Sequence, residues 1–119
     1  QQLRLYARQP AWLAAPLDKL KRPRRDVIPK DAKAHTMPPL LGFDYLAAAW
    51  SECGACGFGM NGPVPLDWQE IHAYNCASRR GLGGYECRML HMMSRAYCAE
   101  FSKASSAEAV QPYVVQSHP

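Results

Sequence analysis

Phe43, Leu46, Ala47 and Trp50 recur at i, i+3, i+4 and i+7, which predicts a helix with one apolar stripe. Asp44 is placed to cap it, and the helix should stop before Gly54 and Gly57. Farther on, Glu86, Leu90, Met93, Tyr97, Phe101 and Ala104 fall on one stripe at spacings of three and four. A helix is therefore predicted from Gly84 to about Lys103, with Glu86 favourable in its first turn. Between these two, Asp67 and Glu70 form a capping-box pattern that opens a helix carrying Trp68, Ile71, Tyr74 and Cys76. Gly81 should supply its left-handed C-terminal position, and Gly81-Leu82-Gly83-Gly84 reads as the turn of a helical hairpin. The stripe of the second hairpin helix is expected to pack on Trp68 and Ile71.

Elsewhere the pattern breaks down. Pro10 and Pro16 interrupt the apolar residues of 1–20, so only short or broken helix is expected there, ordered on a partner. Residues 53–65 hold Gly54, Gly57, Gly59, Gly62, Pro63 and Pro65 and read as a loop. Beyond Ser105 the Ser-, Ala- and Gln-rich tail predicts no regular element, with Pro112-Tyr113-Val114-Val115 extended against the hairpin or a neighbour. The expected fold is thus all-α: a small helical domain over 37–119 containing a helical hairpin, preceded by an irregular basic arm over 1–36. With only two Ile in the chain, the core should be small and helical rather than sheet-like.

Charge sharpens this division. Residues 1–33 hold nine Lys/Arg against three Asp, a net +6, while 34–119 hold five against seven, a net −2. Lys19 to Lys33 reads as a solvated linker, and Arg22, Arg24 and Arg25 are its candidate charged docking points. Such an arm can meet nucleic acid, an acidic membrane surface or an acidic protein. Against a DNA-reading helix-turn-helix, the second hairpin helix offers only Arg88, Arg95 and Lys103, dispersed among Met and acids. Nucleic acid is therefore not the expected partner. Met89, Met92 and Met93 fit core packing and equally an adaptable groove for a partner helix.

Five cysteines without an apolar signal-peptide stretch or a run near eighteen apolar residues suggest reduced thiols and no membrane span. Because Met is not normally removed before Gln, the chain is expected to begin inside a longer product. Cys53-Gly54-Ala55-Cys56 is a CxxC that needs a second ligand pair to hold a tetrahedral zinc. Cys87 with His91, or His72 with Cys76, stand at the required i, i+4 spacing. The alternative is that Cys76, Cys87 and Cys98 are small core residues. No cofactor is expected, and no nucleophile, acid–base pair or phosphate-binding loop is assembled, so the chain is read as a non-enzyme.

Pro65-Leu66-Asp67-Trp68-Gln69-Glu70-Ile71, then Tyr85-Glu86, Leu90 and Met93-Ser94-Arg95-Ala96-Tyr97, resembles small proteins of tailed bacteriophages. Their pattern is roughly Pro-Leu-Thr-Trp-x-Glu-Ile, Trp-Glu and Leu-x-x-Leu-Ser-x-Ala-Tyr. They are encoded between the major tail protein and the tape-measure protein. Pro38-Pro39-Leu40 and Tyr45-Leu46 with Trp50 are similar to the family's Pro-x-Leu and Tyr-Leu-x-x-Trp segments. The likeness covers residues 37–113, not the arm; Tyr85 stands where Trp is usual, and the CxxC is not part of the pattern. It implies a tail assembly chaperone or minor tail protein that binds tape-measure and tail-tube proteins, as part of a frameshifted pair. Its setting would be the host bacterial cytoplasm and the virion tail, with self-association a further expectation. Trp50, Trp68, Met93, Tyr97 and Phe101 are the expected hairpin core or partner anchors. Two other readings stand beside it: a phage effector that inhibits a host protein, and a small zinc- or DNA-binding regulator.

Overall fold

The computed structural model describes residues 2–16, 22–28, 33–40, 42–60, 62–104 and 112. Among these the chain is mostly helical, with one small antiparallel hairpin. The elements run α1 (Gln2–Ala14), α2 (Arg24–Val27), a 3-10 turn (Lys33–His35), α3 (Asp44–Cys53), β1 (Gly57–Gly59), β2 (Gly62–Val64), α4 (Trp68–Ser78) and α5 (Gly84–Lys103).

The three helices legible as apolar stripes form for the reasons their residues suggest. At the start of α4, Asp67 Oδ1 accepts from Glu70 N at 2.7 Å, and Glu70 Oε1 accepts from Asp67 N at 3.1 Å. Two amide donors that the helix leaves orphaned are thereby satisfied. At the start of α5, Glu86 Oε1 accepts from Gly83 N at 2.8 Å. The intervening turn is tied by Asn75, whose side chain donates to Leu82 O and accepts from Leu82 N, each at 2.9 Å. The left-handed C-cap of α4 is Arg79, with φ 57°, and Gly81 follows with φ 68°. Asp44 is the first helical residue of α3; Phe43 stands at the cap.

Within the expected irregular arm of residues 1–36, Gln2–Ala14 form a 13-residue helix rather than short or broken turns. Pro10 lies inside α1 and withholds the amide that Tyr6 O would accept, a defect that costs about 3 kcal/mol in an isolated helix. Tertiary burial offsets it, because Leu3, Ala7, Ala11 and Trp12 are all buried. Leu3 and Ala7 join Leu46, Ala49, Trp50, Leu66, Ile71, Leu90 and Met93 in the main core. Trp12, Leu13 and Ala15 form a second cluster with Ala104, with Ile28 and Phe101 packed against it. Early α1 residues meet the middle of α5 and late ones its end, so the two helices run in the same direction. α1, not α4, is the principal neighbour of α5.

That arrangement corrects the expected hairpin core. Ile71 is buried as predicted, but Trp68 is 51% exposed and Ile71 is the one buried residue of α4. Leu66 links the hairpin to α5 through its backbone, Leu66 N donating to Ser94 Oγ at 2.8 Å in the interior. Trp50 carries the aromatic centre, edge-on to Tyr6 at 6.3 Å and to Tyr97 at 5.9 Å between centroids. Its buried Nε1 finds no acceptor among the described residues.

The segment read as a loop contains β1 and β2, paired in the register Gly57↔Val64, Phe58↔Pro63 and Gly59↔Gly62. Glycine density there marks close approach rather than the absence of structure. A Cβ on Gly59 would stand 3.2 Å from Val64 Cγ1, so a side chain there would require Val64 to shift by a few tenths of an ångström. The expected extended segment at 113–115 lies outside the described residues, as does most of 17–32.

Candidate protein-binding surface

Of the five expected anchors, Trp50 and Met93 are buried in the main core, Tyr97 is half-buried against it and Phe101 against the second cluster, the rings of the last two stacked at 6.3 Å. These four hold the fold. Trp68 alone reaches solvent, as the first residue of α4, where its ring stacks on His91 at 4.4 Å with an interplanar angle of 16°.

The arginine trio divides. Arg22 and Arg25 are exposed, but Arg24 is 2% exposed and cannot serve as a docking point. Its guanidinium donates to Trp12 O at 2.9 Å and to Ala104 O at 3.0 Å, carbonyls near the C-terminal ends of α1 and α5. Helix ends leave such carbonyls without amide partners, and a planar fork serves two at once. Burial pulls the Arg24 pKa below its ordinary value, with Glu100 opposing that shift.

The zinc candidates do not converge: among the described residues no three His, Cys, Asp or Glu side chains are grouped to hold a metal. Cys53 ends α3, where burial and, secondarily, the charge of Glu70 raise its thiol pKa. Burial also raises the Cys56 thiol, and Cys56 neighbours Cys98 of α5. Cys87 packs against the core, and His91 lies against Trp68. His72 and Cys76 do meet, Nε2 to Sγ at 3.6 Å, but they are two exposed ligands without a second pair. All five cysteines are free thiols.

Two groups of surface residues emerge that the sequence reading did not single out. At the tip of the β-hairpin, Phe58 is 82% exposed and Met60 is fully so. Val64, Tyr45 and Tyr85 add further exposed apolar surface, with Tyr45 OH donating to Glu86 Oε2 at 3.4 Å. An Asn-Gly dipeptide at 61–62, flanked by apolar residues, is a hairpin signal that would have located this tip. The second group is cationic: Arg4 and Arg8 of α1 stand beside Arg95 and Lys103 of α5 around a groove of about 440 Å³. Arg88 and Arg95 reach a smaller hollow of about 190 Å³ beside Trp68. The basic residues of α5, dispersed when read along the chain, therefore share one side of the molecule with those of α1.

Among the described residues no helix is long and apolar enough to cross a membrane. No known protein family, curated protein or solved structure matches the chain.

Proposed function

We propose that this protein is a non-enzymatic binding protein of phage tail morphogenesis, a tail assembly chaperone or minor tail protein that engages tape-measure and tail-tube proteins. The observation that carries the binding role is the pair Phe58 and Met60, held out on a hairpin tip where neither contributes to the core. Large apolar side chains gain little in water, and burying one against a partner contributes about 1.5–3 kcal/mol. The tail setting rests on the resemblance over residues 37–113. That pattern includes Leu66, Ile71, Leu90 and Met93, which build the shared core, and Trp68, which stays at the surface.

The test is co-expression of the tagged full chain with the tape-measure and tail-tube proteins of the same phage, followed by isolation of complexes. Co-purification of the tape-measure protein is expected, with recovery reduced about tenfold by Phe58→Ser together with Met60→Ser, the loss typical of two interface anchors. Recovery of a host enzyme and no tail protein would overturn the tail reading in favour of an effector.

A further inference from the structure

The cationic groove shares no lining residue with the hairpin tip and has a chemistry of its own. Its floor is Met92, Ala96 and Ala99, at i, i+4 and i+7 on α5. On either side stand arginines, Arg4 and Arg8 from α1 and Arg95 from α5, with Lys103 at the far end. The smaller hollow shares Met92 and Arg95 with the groove and continues it to Arg88 and Trp68. From Arg88 to Lys103 the track follows about four turns of helix, on the order of 20 Å.

The charge along this track is one-sided. Five cationic side chains face a single carboxylate, Glu100, which is buried and already occupied by Arg8 Nε at 2.8 Å with Lys103 Nζ at 3.9 Å. Arg4 and Arg95 are exposed and engage no acceptor among the described residues. A surface of this kind is unfavourable left alone, because like charges crowd around an apolar strip.

We infer that the α1–α5 groove is a docking site for an acidic amphipathic helix of a protein partner, its apolar stripe on Met92, Ala96 and Ala99 and its carboxylates on the flanking arginines. Small side chains at positions 96 and 99 let a second helix backbone approach, and a methionine adapts its shape to what it meets. Trp68, backed by His91 at the end of the track, is the kind of aromatic anchor on which interface energy concentrates. A nucleic-acid strand fits less well, since its phosphates would run over a floor that offers no donors. Among the described residues a second copy of this chain fits less well: Asp67 and Glu70 are engaged with each other's amides, Glu52 with Tyr74 and Arg80, and Glu86 with Gly83 and Tyr45, while the exposed Asp26 and Asp44 stand on different helices, so no described helix carries free carboxylates on both flanks of an apolar stripe. The inference stands on the groove alone and does not depend on the tail reading or on the hairpin tip.

The experiment is fluorescence anisotropy of the full chain with a labelled synthetic helix of about five turns, bearing Leu along one stripe and Glu on both flanks. Three competitors of matched length or charge accompany it: the same residues in permuted order, the same helix with Lys for Glu, and single-stranded RNA. The expected result is saturable binding of the acidic amphipathic helix that weakens with salt, at least about tenfold tighter than the permuted peptide. R4E with R95E should weaken it about tenfold or more, and Trp68→Ala by a similar factor, with helical content by circular dichroism unchanged. Binding should shift the Met92 methyl and Trp68 indole resonances. Equal affinity for the permuted peptide, tighter binding of RNA, self-association through this face that R4E with R95E abolishes, or no binding would each overturn the proposal.

Discussion

Arg24 lies over the face of Trp12, its Cζ 4.2 Å from the ring centroid, while its Nη1 donates to the carbonyl of the same residue. One side chain from a four-residue helix thus holds the ends of the two helices that dominate the fold. Arg24→Ala should lower stability by about 3 kcal/mol, because two buried carbonyls lose their donor and the tryptophan loses its cation. Arg24→Lys, with the charge but not the fork, should lose about half as much. Urea denaturation followed by circular dichroism checks both values and their order.

Glycine demands can be separated from packing at two helix ends. Gly54 has φ 103° and ψ 140°, Gly81 has φ 68°, and neither would place a Cβ within 4 Å of any neighbour. Loss of stability on substitution is therefore pure backbone strain. Gly81→Ala should cost about 1 kcal/mol and Gly54→Ala more, about 2 kcal/mol, because its conformation is nearly closed to other residues. Thermal unfolding of the two variants tests the ranking.

Ser94 is buried on α5 and accepts from Leu66 N across 28 residues of chain. Ser94→Ala preserves shape closely but strands a buried amide, so a loss of about 1–2 kcal/mol is expected. Ser94→Cys, larger and a weaker acceptor, should not restore it. Hydrogen exchange at the Leu66 amide should quicken in both variants before global unfolding does.

Burial and the neighbouring Cys56 push the Cys98 thiol up to about 11, and burial also raises Cys53, Cys56 and Tyr97. For such a group the folded state holds its proton after the unfolded state has released it. Its contribution to stability is complete below the unfolded thiol value, about 8.5, and is lost as pH rises towards the folded one. Stability should therefore decline through this alkaline window, and Cys98→Ala should flatten the decline while lowering stability at neutral pH. Alkylation near pH 8 should label exposed Cys76 first and Cys98 last.

The parts of the fold visible in the sequence are those fixed by local chemistry. Asp67 and Glu70 announce α4 because their partners lie three residues apart. The α5 stripe is legible because Leu90, Met93 and Ala104 repeat on one helical face. What was hidden depends on contacts distant in sequence. Pro10 argues against α1 in isolation, and only burial of Leu3, Ala7 and Trp12 beside α5 overrides it. Arg24 reads as one more charge in a basic run until Trp12 O and Ala104 O are brought to it. The groove was obscured for the same reason: Arg4 and Arg95 are near in space and far apart along the chain. The CxxC, by contrast, carries a recognisable metal spacing for which the fold groups no second ligand pair among the described residues.

The pairing of α1 with α5 also sets an order of events during synthesis. Arg8 and Glu100, which meet at 2.8 Å, are 92 residues apart, so the ribosome makes one on the order of ten seconds before the other. Throughout that interval the apolar side of α1 has emerged and its cover has not, and its proline leaves it little helical stability of its own. Although α1 precedes every other described element in the chain, it is among the last to be secured, and its apolar side stays uncovered until α5 has been made.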